Sequence, residues 1–311
     1  MSRTVRITLP PRLTDTIVGE LQHLDGVTGI RVERGISLKP PGDVVCADMT
    51  NPAQLRLMER LGAHSLGESN ESSISSTEML SSISWPSAGL LARERTEATW
   101  EEMESSLLKE SNTTPNTLVL MFCAGIIATI GISTNALHVV IGAMLIAPGF
   151  EPISRIGLGL VAHSAAWRRG LQDLGCLYLA LIAGALTATL MFFAIGVDPL
   201  ASEPGYLGKG ELLRYWTNLS FTSTVVSVMS AIAGAVLIAT NRSVLTAGVM
   251  TGLALVPAMT ISAVALANGD WSASGHALLR WLIDLSTVLF FSVAVFAWKR
   301  RWVQRRSRML L

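Results

Sequence analysis

The chain has 311 residues, half of them hydrophobic, and only 15% are charged, against roughly 25% in soluble domains. A net charge of +1 hides an asymmetry, because Lys299, Arg300, Arg301, Arg305, Arg306 and Arg308 crowd one end. This excludes a single ordinary soluble domain, and the cationic end reads as a cytoplasmic anchor behind a membrane helix, with no nucleic acid expected as a partner.

The first stretch carries Arg3, Arg6 and Arg12 and lacks a signal-peptide core, so the N-terminal domain is expected to stay in the cytoplasm. Cys46, Cys123 and Cys176 are too scattered for a disulfide framework or a zinc site. Val5, Ile7 and Leu9 alternate as on a half-buried strand, and Ile17, Val18, Leu21 and Leu24 then share a helical face. A strand returns through Ile30 and Val32, Pro40-Pro41-Gly42-Asp43 turns, and Val44 to Met49 forms a buried strand. Asn51 and Pro52 open a second helix with Leu55, Met58 and Leu61 inward, and a last strand is expected between His64 and Ile74. The order is that of a ferredoxin-like α+β domain over residues 1–75, a possible seat for a small ligand or an assembly contact.

Residues 76–115 read as a linker, serine-rich up to Ser87, followed by an acidic amphipathic connecting helix, Arg93 to Lys109. Residues 116–300 then contain six apolar stretches near the length of a membrane helix, at about Thr117–Ile132, His138–Val161, Leu171–Val197, Leu219–Ala239, Val244–Leu266 and Ala277–Trp298. Arg168, Arg169, Arg242 and the tail, residues 301–311, fall on one side of such a layout, which places both termini in the cytoplasm of a multi-pass protein of a bacterial inner membrane.

The first helix pair, Gly125-Ile126-Ile127-Ala128, Thr134-Asn135, Gly142-Ala143-Met144 and Pro148, has an echo in Ala231-Ile232-Ala233-Gly234, Thr240-Asn241, Gly248-Val249-Met250 and Pro257. A unit of three spans enters the bilayer from opposite sides in its two copies, so this pattern predicts a 3+3 inverted repeat. The expected breaks are Ala147-Pro148-Gly149-Phe150-Glu151-Pro152 and Leu255-Val256-Pro257-Ala258, where freed backbone groups face substrate or ion in transporters of that design.

Ionisable residues inside a membrane are costly and mark paths or pairs. Glu151 and Arg155 are four apart, as are Arg280 and Asp284, so each acid is either a proton or cation site or half of a neutral pair. Ser220, Ser223, Ser227 and Ser230 form a hydroxyl stripe that suits either a polar path or close helix packing. The candidate path residues are Asn135, Pro148, Glu151, Pro152, Arg155, Ser223, Ser227, Asn241, Pro257 and Asp284.

Ile127-Ala128-Thr129-Ile130-Gly131, Val140 through Pro148, Pro152-Ile153, and the later Gly248-Val249-Met250 through Ala254-Leu255-Val256-Pro257 resemble the bacterial hydrophobic-domain family called domain of unknown function 389. The resemblance implies a membrane domain often preceded by a small N-terminal domain, and it implies no substrate or cofactor. Two departures stand out against it: Ala258 where a second proline often follows, and Glu151 where a small residue is usual.

The expected function is a membrane transporter or permeation protein for a small solute or ion, with a cytoplasmic regulatory or assembly domain. The competing reading is a non-transporting sensor or oligomeric scaffold. No serine–histidine pair, metalloprotease motif or aspartate pair at useful spacing suggests an enzyme. The lipid bilayer and further copies of the chain, as a homo-oligomer, are the expected partners.

Overall fold

The computed structural model describes residues 3–63, 72–78, 103–105, 107–108, 111–200, 210–240 and 246–303. They belong to two compact units that divide between Trp100 and Glu101. The acidic connecting helix and Asn241 lie largely or wholly outside the described residues, as does most of the basic tail.

The first unit runs β1 (Arg3–Leu9), α1 (Pro11–Gln22), β2 (Val27–Leu38), β3 (Pro41–Met49), α2 (Asn51–Ala63) and β4 (Ser73–Glu78). Its strands form one antiparallel sheet in the order β2-β3-β1-β4. The alternation of Val5, Ile7 and Leu9 buries these side chains against Ile17 and Leu21 of α1 and Leu57 and Leu61 of α2. Each such side chain contributes about 1.5–3 kcal/mol on leaving water. In α2 the buried face is Ala53, Leu57 and Leu61, with Met58 at its margin; the side chain of Leu55 is outside the described set.

β4 begins at the end of the window expected for it and crosses the boundary at 75 into the serine-rich stretch. Ile74 is its one large apolar residue, and pairing with β1 from Arg3↔Glu78 to Thr8↔Ser73 makes the strand. Local composition is a weak guide where cross-strand pairing decides. Near the start of β3, Asp43, expected in a turn, is in the strand and buried, accepting hydrogen bonds from Thr14 Oγ1 at 2.7 Å and from the Gly35 amide at 2.8 Å. These bonds hold its carboxyl below the ordinary range, that from Thr14 most.

The second unit is helical: α3 (Pro115–Ser133), α4 (Leu137–Ile146), α5 (Phe150–Ala162), α6 (Ala166–Ala194), α7 (Glu211–Thr217), α8 (Phe221–Ala239), α9 (Thr246–Met250), α10 (Leu255–Ala267) and α11 (Trp271–Trp298), extended by a π-helical turn, Lys299–Val303. Four helices, α3, α6, α8 and α11, are long and apolar enough to cross a membrane. The pair α4–α5, bent by 45°, makes a fifth if it counts as one span. Of the six expected spans, the second and fifth are therefore broken, and α10 alone is too short to cross.

The proline positions explain the breaks. Pro148 has no N–H, so the Met144 carbonyl loses its partner and α4 ends. Pro152 and Pro257 instead stand third in α5 and α10, two helices of 13 residues each, where an absent N–H costs nothing. Pro257 is thus the positional counterpart of Pro152 rather than of Pro148, and Leu255 to Ala258 opens a helix. The second unwinding precedes it, at residues 251–254.

α3 and α8 are each 19 residues long and open with the same capping box, Thr114 with Thr117 and Ser220 with Ser223. α3 packs on α6, and α8 on α11. Each short helix after a break, α5 or α10, touches both α6 and α11. Close approach of α3 and α6 depends on glycine: a Cβ on Gly125 would strike the Leu181 carbonyl, and one on Gly184 the Phe122 carbonyl.

Candidate functional site

The two breaks meet. Thr246 Oγ1, at the start of α9, donates a 2.8 Å hydrogen bond to Glu151 Oε1, in the first turn of α5. Gly149, the N-cap of α5, faces the second break as well: a Cβ there would lie 3.0 Å from the Met250 methyl and 3.2 Å from the Tyr178 hydroxyl. The adjoining Phe150 is fully buried and lays its ring against Gly234 of α8. Glu151 therefore sits at a half-helix N-terminus, where a carboxylate is favoured by the helix dipole, and is tied across to the start of α9 rather than paired with Arg155.

The second half brings another acid to its own break. Asp284 of α11 is buried, and its Oδ2 accepts the Ala254 amide, the N-cap of α10, at 2.7 Å. The same oxygen lies 3.3 Å from Arg280 Nε, the pairing their spacing predicted. The Arg280 guanidinium also donates to Ser223 Oγ at 2.6 Å and Ser227 Oγ at 3.0 Å. The hydroxyl stripe of α8 thus holds a buried cation, and its hydroxyls work as acceptors for it. Asp284 Oδ1 completes no hydrogen bond among the described residues.

Tyr178 of α6 closes this region. Its ring meets Trp281 edge-on with centroids 5.1 Å apart, and neither its hydroxyl nor the indole N–H completes a hydrogen bond among the described residues. The hydroxyl is within electrostatic reach of both Asp284 and Glu151. One buried polar region therefore gathers the tips of α5 and α10, the start of α9, and side chains of α6, α8 and α11.

Arg155 belongs to a separate cluster. It is 1% exposed, and its Nη1 donates to Asp173 Oδ2 at 2.7 Å, Ser111 Oγ at 3.0 Å and Asn112 Oδ1 at 3.1 Å. Asp173 also accepts from Thr113 Oγ1 at 2.8 Å. The arginine therefore clamps the segment that leads into α3, and the partner expected four residues earlier, Glu151, is not the one it takes. Asp173, eleven residues beyond the end of α5 in sequence, gives no pattern signal for this pairing.

Asn135 is buried in a left-handed turn with φ 53°, and its Oδ1 accepts the Leu212 amide at 3.3 Å. It ties the α3–α4 turn to α7, at the far end of α3 from the Arg155 cluster. Asn241 is outside the described residues. Of the other predicted residues, Pro148, Glu151, Pro152, Pro257 and Asp284 flank the breaks, and Ser223 and Ser227 reach them through Arg280. Thr246, Tyr178 and Trp281 were not foreseen. Tyr178 carried a faint signal, a phenol in the middle of an apolar stretch. On the side where α5, α8 and α11 end, Lys299 and Arg300 cap helix carbonyls of Ala239 and Val161.

Residues 144–290 match the family model described as Domain of unknown function (DUF389), a stretch that contains both breaks and every charged group of the two clusters. The resemblance read in the sequence is shown there. An uncharacterized protein of Methanocaldococcus jannaschii is 24% identical over 213 residues, 67% of this chain. The chain spans 63% of that relative's length. This relative is archaeal, so the similarity is not confined to bacteria. No solved structure matches.

Proposed function

We propose that the chain is a membrane transporter or permeation protein for a small solute or ion, built from six crossings in two inverted sets of three, and carrying a ferredoxin-like regulatory or assembly domain. The observation that carries this reading is the meeting of the first break with α9, whose Thr246 binds Glu151 and whose Met250, beside the second break, faces Gly149. Helices interrupted inside a bilayer are tolerated where they line a cavity or are covered by protein, and inverted-repeat transporters bind substrate there.

The equal lengths and matching caps of α3 and α8, and the 13-residue helices opening on Pro152 and Pro257, support the repeat. Three crossings per set reverse the chain's direction, so the second set is inverted. Arg168, Arg169, Lys299, Arg300 and Arg301 all fall where helices α5, α8 and α11 end or α6 begins, and a cationic face of that kind supports cytoplasmic termini in a cytoplasmic membrane.

The test is solute flux in proteoliposomes of the full chain, over a panel of ions and small metabolites, against Glu151→Gln and Pro148→Ala. Protein-dependent flux of at least one solute, lowered about tenfold, a barrier change of about 1.4 kcal/mol, by Glu151→Gln, is expected. Leak equal to that of empty vesicles across the whole panel would favour a sensor or scaffold.

A further inference from the structure

We propose that the N-terminal unit joins a second copy of this chain through β2, the two strands lying edge to edge and antiparallel about a two-fold axis at Val32. The proposal gives a surface to the assembly role offered above for that unit, on which it rests, and is separate from transport.

β2 is the outermost strand of its sheet and has no strand beyond it among the described residues. It is 12 residues long, against 6 in β4 at the other edge. An unpaired edge of that length offers a row of backbone donors and acceptors to another strand. It also carries large apolar side chains in the open, since Val32, Ile36 and Leu38 are 38%, 59% and 92% exposed. Alternation puts Val32 on the helical face of the sheet, paired with the core residue Val45. Arg31 and Glu33, paired with Cys46 and Val44, therefore stand on the other face.

Charged residues on an edge ordinarily deter pairing, so the occupant has to answer them, and the order of signs in β2 answers itself. When a sheet continues across a two-fold axis with both helical layers on one side, opposed residues share a face, and the axis passes through a residue rather than between two. Centred on Arg31 or on Glu33, it sets like charges opposite each other, which is destabilising. Centred on Ile30, it leaves Arg31 facing Gly29 and Glu33 facing Val27. Centred on Val32, it sets Arg31 of each copy against Glu33 of the other, on both sides of a contact between the two valines. Opposite charges and branched apolar residues so placed stabilise a strand pair. Glu33 is exposed and makes no ion pair among the described residues. Arg31 binds Asp48 of its own chain at 3.0 Å, yet its side chain stays 67% exposed with N–H donors left over. The ladder to β3 is unbroken from Gly29 to Glu33, and the bulge that follows, with Gly35 at φ 68°, lies outside the matched run.

A single strand edge makes a small interface, so the test keeps the full chain at high density in bilayer vesicles. Cys46→Ala, Cys123→Ala and Cys176→Ala give a background without thiols. Opposed residues of an antiparallel pair have Cβ atoms about 4.5–5.5 Å apart, and diagonal ones about 7–8 Å. Val32→Cys should therefore give a crosslinked dimer on copper-catalysed oxidation. Arg31→Cys and Glu33→Cys should give little when each is alone and should crosslink to one another when mixed. Adding Glu33→Arg to Val32→Cys sets like charges opposite and should lower the crosslinked fraction several-fold, with recovery in high salt. All three side chains are exposed, so the variants should keep the melting curve of the background protein.

No crosslinking of Val32→Cys, equal crosslinking of the three single variants, or a yield that Glu33→Arg leaves unchanged would each overturn the inference. Light scattering of the solubilised parent separates it from the reading on which it rests. An oligomer without the Val32→Cys crosslink removes this edge and leaves the assembly role standing, whereas a monomer without it removes both.

Discussion

The two halves of the helical unit solve one problem in different ways. Each buries an arginine close to the opening of its first long helix: Arg155 beside Ser111 and Asn112 ahead of α3, Arg280 beside Ser223 and Ser227 in α8. In the first half the arginine is on the broken helix and its acid, Asp173, on the long helix that follows. In the second half arginine and acid share one long helix, and the acid reaches the break. The lengths and caps of α3 and α8 correspond while the charge pattern does not, which separates a clamp at one end from a polar cluster in the middle.

The sharpest way to break that distinction is to remove each acid. Asp173→Asn should cost about 3–5 kcal/mol, since it strands a buried guanidinium, read by chemical unfolding in detergent. Asp284→Asn should cost a similar amount, and it alone should change the emission of Trp281, one turn away in α11. Equal emission changes in folded forms of both variants would erase the difference between the two clusters.

A smaller effect tests the bridge between halves. Thr246→Val removes one hydrogen bond to a carboxylate and should destabilise by about 1.5–3 kcal/mol. If Glu151 were instead held by Arg155, the substitution would leave unfolding within about 0.5 kcal/mol of the parent. Smaller again, Gly234→Ala presses a methyl onto the Phe150 ring and should cost about 1–3 kcal/mol. Gly142→Ala in α4, where a Cβ meets open space, should cost nothing measurable in the same melts.

The gentlest prediction concerns the N-terminal unit. Asp43 has a lowered folded pKa, so its contribution is full above the unfolded value near 4 and fades as pH falls through the folded value. Unfolding of the full chain followed by a probe in this unit should lose stability below about pH 4, and Asp43→Asn should flatten that loss while lowering stability at neutral pH.

Much of this fold was legible because periodicity and covalent chemistry are local. Val5, Ile7 and Leu9 announced a strand, and apolar runs announced α3, α6, α8 and α11. Pro148 announced a broken helix because a missing N–H acts on its own carbonyl four residues back. The sequence also brought Arg280 to Asp284, since a helix fixes which side chains stand four apart.

Tertiary structure decided the rest, because contact across the chain carries no periodic signature. β4 formed in a serine-rich stretch by pairing with β1, and Pro257 proved to open a helix rather than break one. Arg155 passed over the acid one turn away for Asp173, whose second oxygen engages Thr113. Glu151 crossed to Thr246, and the hydroxyls of Ser223 and Ser227 turned to Arg280. In each case the side chain's direction on its helix, and which helix packs against it, chose the partner.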